Sequence, residues 1–161
     1  MDFVIIGGGY YGEAVAHEFA NASHDVLLVE QDGERCKVLT EAFAGVDRVK
    51  VVLGKGFIAS AGRVMVLNPE TGDERQPLNF SCLVTASGTL TADDSGGRFI
   101  GLSKLGGAYD SAGRIEVAAD GSTGVAGIFA VGGCATSDGG LAAEAARSIL
   151  RAVTPSLGGV A

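Results

Sequence analysis

The sequence contains no Cys-x-x-Cys pair. Its three cysteines, Cys36, Cys82 and Cys134, are odd in number and widely spaced. That pattern excludes a disulfide framework and a cysteine zinc site, removes the commonest intramolecular redox dithiol, and fits a reducing cytoplasm. Basic residues are scarce: 12 Lys and Arg stand against 19 Asp and Glu, a net charge of −7. This balance argues against nucleic acid or an anionic membrane as a partner. No apolar run reaches the roughly 20 residues that a membrane helix needs. The first residues already read as a strand, so no signal peptide is expected. There is no Gly-x-Ser-x-Gly, no metal-spaced cluster of His, Cys or carboxylates, and no convincing carboxylate pair. Asp93 and Asp94 sit in a polar stretch and read as solvent-facing. His17 and His24 read as solvated or structural.

What the chain has in abundance is glycine, 26 residues in 161, and 47% of its residues are hydrophobic. The informative glycines come first. Val4-Ile5-Ile6 leads into Gly7-Gly8-Gly9-Tyr10-Tyr11-Gly12, then a helix expected from Gly12 to Asn21, then Val26-Leu27-Leu28-Val29-Glu30. Read physically, this is strand, tight turn, helix, strand. Gly7 permits the sharp turn, Gly9 leaves room for a pyrophosphate, and Gly12 lets the helix pack closely on the strand. The helix start points N–H groups and positive dipole at such phosphates. Glu30, with Gln31 beside it, ends the second strand. An acid there accepts hydrogen bonds from ribose hydroxyls and repels a 2′-phosphate, so FAD and NAD fit better than NADP. Tyr10 and Tyr11 are candidates to stack on or gate such a cofactor, and loop packing explains them equally well.

Further along, a second helix is expected from Asp32 or Gly33 to about Ala44, with Cys36 in its first turn as a packing or surface residue. A third strand is expected over 49–53. The glycines of Gly54-Lys55-Gly56-Phe57-Ile58 suggest a turn or backbone lying against something. Residues 63–67 read as a strand and Asn68 to Asp73 as a turn. A return strand near Glu74 to Gln76 completes an antiparallel hairpin. Buried strands are expected at 81–86, with Cys82 in the core, and at 127–131, with a polar loop over 91–97 between them. A short alternating strand is placed at 113–117. The second strand–glycine–helix junction is Gly132-Gly133-Cys134 followed by a helix from about Gly139 to Val153. Residues 1–153 therefore read as one dinucleotide-binding domain and 154–161 as a flexible tail.

Three motifs together resemble the pyridine nucleotide–disulfide oxidoreductase superfamily, flavoproteins with two dinucleotide-binding domains. They are the glycine motif with Glu30, then Leu83-Val84-Thr85-Ala86-Ser87-Gly88 after an antiparallel meander, and Gly113-Arg114-Ile115-Glu116-Val117 leading to Gly127-Ile128-Phe129-Ala130-Val131-Gly132-Gly133. They span nearly the whole chain in family order. The resemblance implies an α/β, Rossmann-like three-layer FAD/NAD(P)-binding domain, a central parallel sheet with helices on its faces and a small antiparallel meander. It implies FAD as cofactor, with NAD the alternative. The implied contacts are Gly7, Gly8, Gly9, Tyr10, Tyr11, Gly12, Glu30, Gln31, Gly56, Phe57, Ala86, Ser87, Gly88, Gly132, Gly133 and Cys134.

The departures shape the expected function. Gly133 stands where the family has an Asp, an exchange worth about 1.5–3 kcal/mol of cofactor binding. Ser87 replaces the usual Thr. The family's inserted NAD(P)H domain and C-terminal interface domain do not fit in this length, so reductant is expected from a partner reductase, a larger subunit or transient NAD(P)H. A face buried against another subunit or a second copy of the chain is expected too. The spelling of the glycine motif also resembles the family's NADH-binding copy, although its acid two residues after the last glycine is here Ala14, with Glu13 one residue early. Val29 to Arg35 resembles NAD-binding regulatory domains of potassium-uptake systems, which lack the late motif. Two functions follow: a FAD-binding oxidoreductase or electron-transfer component, or a non-catalytic NAD(H)- or FAD-binding regulatory module. A helix start after Gly133 is expected to favour negative charge on reduced flavin. Cys134 beside it is a candidate thiol of lowered pKa, against the plainer reading of a small residue packed near the cofactor.

Overall fold

The architecture follows from two sets of apolar residues on opposite faces of one sheet. A computed structural model of the chain describes residues 3–75, 77–87, 102, 105–136 and 141–157, without the side chains of 155–157. The central strands are β1 (Phe3–Ile6), β2 (Val26–Glu30), β3 (Val49–Leu53), β7 (Cys82–Thr85) and β8 (Ile128–Ala130), in the order β3-β2-β1-β7-β8. All their pairings are parallel. β1, β2, β7 and β8 are buried along their whole length. That is why they read as continuous apolar runs without alternation.

Phe3, Ile5, Val26, Leu28 and Val84 face a layer of helices: α1 (Tyr10–Asn21), α2 (Gly33–Ala42) and α3 (Ala142–Leu157). Val15, Ala16 and Phe19 of α1 and Ala146, Ile149 and Val153 of α3 share this core. Val4, Ile6, Leu27, Val29, Leu83 and Ile128 face the other way, onto an antiparallel sheet of β4 (Lys55–Ser60), β5 (Arg63–Leu67) and β6 (Leu78–Asn79). The result is three layers. Among the described residues all three long helices lie on one face, where helices on both were expected, because the meander covers the other.

Several boundaries differ from expectation. α1 begins at Tyr10, so Gly12 lies inside its first turn. α2 ends at Ala42. Gly54 to Ile58 is no turn: Lys55 onwards is β4, paired with β5. Of the return strand expected near Glu74 to Gln76, Gln76 lies outside the described residues. Glu74 makes a single bridge to Leu67, and the ladder onto β5 is made by Leu78 and Asn79. Pro77 has no N–H to give a ladder, so pairing resumes just after it. Residues 113–117 form no strand. Ile115 alone bridges Tyr109 and Ala135, because the Asp110 carboxylate gathers the Ala112 and Arg114 N–H groups into a turn. α3 starts at Ala142 and continues past Thr154 to Leu157, with the Thr154 hydroxyl bonded to the Leu150 carbonyl at 2.7 Å. The loop expected over 91–97, Gly88, Gly139 and residues 158–161 lie outside the described residues.

Candidate dinucleotide site

Because the sheet is parallel, the carboxyl ends of all five strands lie along one edge. The chain order reverses direction between β1 and β7, and ligands of open α/β sheets lie in the crevice at such a point. The glycine loop sits there. Gly7 has φ +97°, and a Cβ on it would lie 2.5 Å from the Ala86 carbonyl oxygen. A Cβ on Gly12 would lie 1.8 Å from the Gly7 carbonyl oxygen. A Cβ on buried Gly8 would strike Leu39 at 2.2 Å. These three positions are filled by the protein's own atoms. Gly9 is different: nothing lies within 4 Å of where its Cβ would point. Its backbone is extended, it caps α1, and no side chain caps that helix end. The helix therefore begins at an open face with its amide groups and dipole directed outward, a geometry suited to an anionic phosphate group.

Glu30 stands beside this loop, only 8% exposed. Its Oε2 accepts the Gly8 N–H at 2.7 Å and its Oε1 accepts the Asp32 N–H at 2.8 Å. A buried carboxylate with both oxygens bonded is anchored, and its remaining lone pairs stay available to a ribose hydroxyl. Asp32 caps α2, its carboxylate accepting the Arg35 N–H at 2.7 Å. Arg35 then turns back to the loop. Its Nε donates to the Gly8 carbonyl at 2.7 Å and its Nη2 pairs with Glu13. Arg35 was not singled out from the sequence. The available signal was the Asp32 cap, which fixes the start of α2 and so aims its first turn. Glu13, one residue from the expected acidic position, serves as this arginine's partner.

The late motif meets the loop from the other side. Gly132, at φ +83°, lies against the Tyr11 ring, 2.9 Å from where its Cβ would sit. Tyr10 is exposed and stacks edge-on against Tyr11. Ala86 closes the base of the loop through its backbone, Ser87 lies 3.1 Å from the Thr85 hydroxyl, and Gly133 is exposed. Gln31 is exposed beside Glu30. Gly56 and Phe57 lie in β4 on the meander side, where Gly56 is packed against Ile6.

Two expectations are corrected here. Gly132–Cys134 forms a short 3-10 turn, and α3 begins only at Ala142. The glycines therefore do not open a long helix. Cys134 is buried, its Sγ against the Val131 and Thr85 carbonyls at 3.4 and 3.6 Å. Burial pushes this thiol up, and the hydrogen bonds only partly oppose that, the reverse of the lowered pKa expected at a helix start. Cys36 is raised by burial as well, and Cys82 is pushed up to about 12. His17, exposed, packs on Phe43, and His24 packs on Phe3, each with ring centroids 4.4 Å apart. Among the described residues no group of His, Cys, Asp or Glu is placed to hold a metal. No described helix is long and apolar enough to cross a membrane.

A parallel sheet with a glycine turn at its switch point and an anchored acid on the next strand defines a Rossmann-like dinucleotide-binding domain. The family model for pyridine nucleotide-disulphide oxidoreductases matches residues 1–149, and the chain belongs to that family. Its members are dinucleotide-binding flavoproteins. No curated protein matches the chain. Solved structures share the fold. HlmI is 15% identical, with 98% of this chain and 92% of that one covered and a TM-score of 0.68. The oxidoreductase from Agrobacterium tumefaciens is 16% identical, with 97% and 98% covered and a TM-score of 0.67. A thioredoxin reductase from Gloeobacter violaceus is 10% identical, with 98% and 95% covered and a TM-score of 0.69.

Proposed function

We propose that the chain binds FAD in extended form along the carboxyl edge of its parallel sheet and serves flavin-dependent electron or hydride transfer, alone or as one component of a larger enzyme. The observation that carries this reading is Gly9. Its neighbours Gly7, Gly8 and Gly12 are glycines because protein atoms occupy their Cβ positions, whereas the space at Gly9 is open. A pyrophosphate over that space meets the uncapped start of α1. The adenosine ribose bonds to Glu30 and borders Gln31. The flavin end lies toward Ala86, Ser87 and Gly132–Cys134, and Gly56 and Phe57 border the site from the meander side.

FAD, once bound, supplies the hydride and electron chemistry, and the chain supplies position and electrostatics. Glu30 orients the ribose, and the start of α1 offsets phosphate charge. The reductant comes from a partner reductase, a larger subunit or NAD(P)H bound transiently over the flavin. A second reading, a non-catalytic FAD- or NAD(H)-binding module, is favoured by Gly133, which brings no carboxylate to the flavin end, and by the buried thiol of Cys134.

The visible absorption spectrum of the purified protein, followed by titration of apoprotein with FAD and then NADH, separates these. Bound flavin that NADH bleaches supports an enzyme sufficient in itself. Bound flavin that NADH leaves oxidised supports a component awaiting its partner. A colourless protein that refuses FAD and takes up NADH overturns the flavoprotein reading in favour of the regulatory one.

A further inference from the structure

Four hydrogen bonds close a ring around Gly8. The Gly8 N–H donates to Glu30 Oε2, and the Asp32 N–H donates to Glu30 Oε1. The Arg35 N–H donates to Asp32 Oδ1, and Arg35 Nε returns to the Gly8 carbonyl. Gly8 is thus held on both its polar groups, its N–H by β2 and its carbonyl by α2. The Arg35 Nη2 contact with Glu13 ties the same guanidinium to the first turn of α1. A run of three glycines has the greatest backbone freedom a chain can have, and Gly9, next in line, is exposed, with open space where its Cβ would point and its carbonyl accepting the Glu13 N–H at 3.0 Å.

We propose that Arg35 is a positioning residue for the dinucleotide: by closing this ring it holds the Gly7–Gly12 loop in the form that receives the pyrophosphate. The role rests on the proposed dinucleotide site. It also explains why the residue is Arg. A planar guanidinium reaches a carbonyl through Nε and a carboxylate through Nη2 at once, which a lysine ammonium on a flexible stem does not reproduce. The side chain is 32% exposed, so the ion pair with Glu13 contributes little by itself. What matters is the bond to Gly8, whose loss frees the loop.

The test is amide hydrogen exchange on the full chain without ligand, together with FAD and NADH titrations, for wild type, Arg35→Ala and Arg35→Lys. In Arg35→Ala, exchange of the hydrogen-bonded Gly7 and Gly8 N–H groups accelerates about tenfold, as loss of one hydrogen bond to a charged donor implies. Exchange in β7 stays unchanged, and affinity for FAD and NADH falls by a similar factor. Arg35→Lys is intermediate in both. Unchanged loop exchange overturns the proposal whatever the titrations show, and so does faster exchange spread evenly over β7, which marks general destabilisation. Faster loop exchange in a protein whose wild type takes up neither FAD nor NADH overturns the positioning role through failure of the proposed site. The exchange data tell these failures apart.

Discussion

Gly9→Ala separates binding from folding at this site. The open Cβ direction means that a methyl group meets no protein atom. The backbone at Gly9, φ −70° and ψ −163°, is extended and open to any L residue, so no strain arises. Two small effects on stability remain. Removing a glycine lowers the entropy of the unfolded chain and stabilises by about 0.4–1 kcal/mol. Placing alanine at a helix N-cap costs roughly 0.5–1 kcal/mol. They nearly cancel, and for a chain of this size each 1 kcal/mol shifts Tm by about 2–4 °C. The expected melting curve therefore lies within about 4 °C of wild type. Ligand binding behaves differently. The methyl group occupies the space that the proposed site assigns to the pyrophosphate, and a displacement of the phosphates weakens FAD and NADH by at least about tenfold, or 1.4 kcal/mol. Gly12→Ala is the control. Its Cβ would lie 1.8 Å from the Gly7 carbonyl oxygen, so it loses folding and binding together. The assay is a thermal melt by circular dichroism beside a FAD titration followed by flavin fluorescence. Wild-type affinity in Gly9→Ala refutes the assignment of that space to the ligand. A large fall in Tm refutes its emptiness.

Glu30→Gln keeps one acceptor oxygen and replaces the other with an NH2 group, which cannot accept an N–H bond from Gly8 or Asp32. Leaving one buried donor unsatisfied lowers stability by about 1–3 kcal/mol in urea unfolding, and FAD affinity falls with it. An unchanged midpoint and affinity refute the anchoring role. The raised thiols give a pH prediction. A thiol at about 12 in the fold and near 9 when unfolded keeps its proton only in the native state between those values. The native state then binds more protons, so stability is complete below pH 9 and falls as pH rises from 9 toward 12, on the order of 1 kcal/mol per pH unit for Cys82. Cys82→Ala flattens that slope in urea melts at pH 8 to 10.5, and an equal slope in the variant refutes the attribution. Iodoacetamide at pH 8 leaves Cys134 unmodified in the native protein and alkylates it in urea. Rapid native alkylation, read by mass spectrometry, refutes its burial.

The parallel strands were legible because burial on both faces writes an unbroken apolar run. Phe3–Ile6 and Val26–Glu30 carry that mark and lie where their apolar runs placed them. The site glycines were legible for a related reason: each answers a steric demand local to the turn. What sequence alone did not carry was pairing between distant segments. Val117 and its neighbours alternate like a strand, yet the Asp110 turn and the partner at Ala135 leave only a bridge at Ile115. Leu78–Asn79 is too short to show a pattern, and its place on β5 depends on a register set by tertiary contact. The lowered-pKa alternative for Cys134 failed for the same kind of reason. A thiol after two glycines resembles one at a helix start, but its pKa depends on burial against the Thr85 and Val131 carbonyls, and burial is a property of the assembled sheet.

The same contrast divides the site into two unequal halves. At the proposed adenosine end every polar group of Gly8 and both oxygens of Glu30 are committed before any ligand arrives. Such preorganisation removes the cost of ordering a glycine loop on binding. At the other end the chain offers the backbone of Gly132, the bare surface of Gly133, the Tyr11 ring and a thiol held protonated by burial. A ligand gripped at its adenosine end and loosely bordered at the other keeps its affinity when the far group changes. FAD, NADH and ADP are therefore expected to bind within about tenfold of one another, a spread of 1.4 kcal/mol. FAD binding a thousandfold more tightly than ADP would show that the Gly132–Cys134 turn contributes as much as the adenosine end, and would refute the asymmetry.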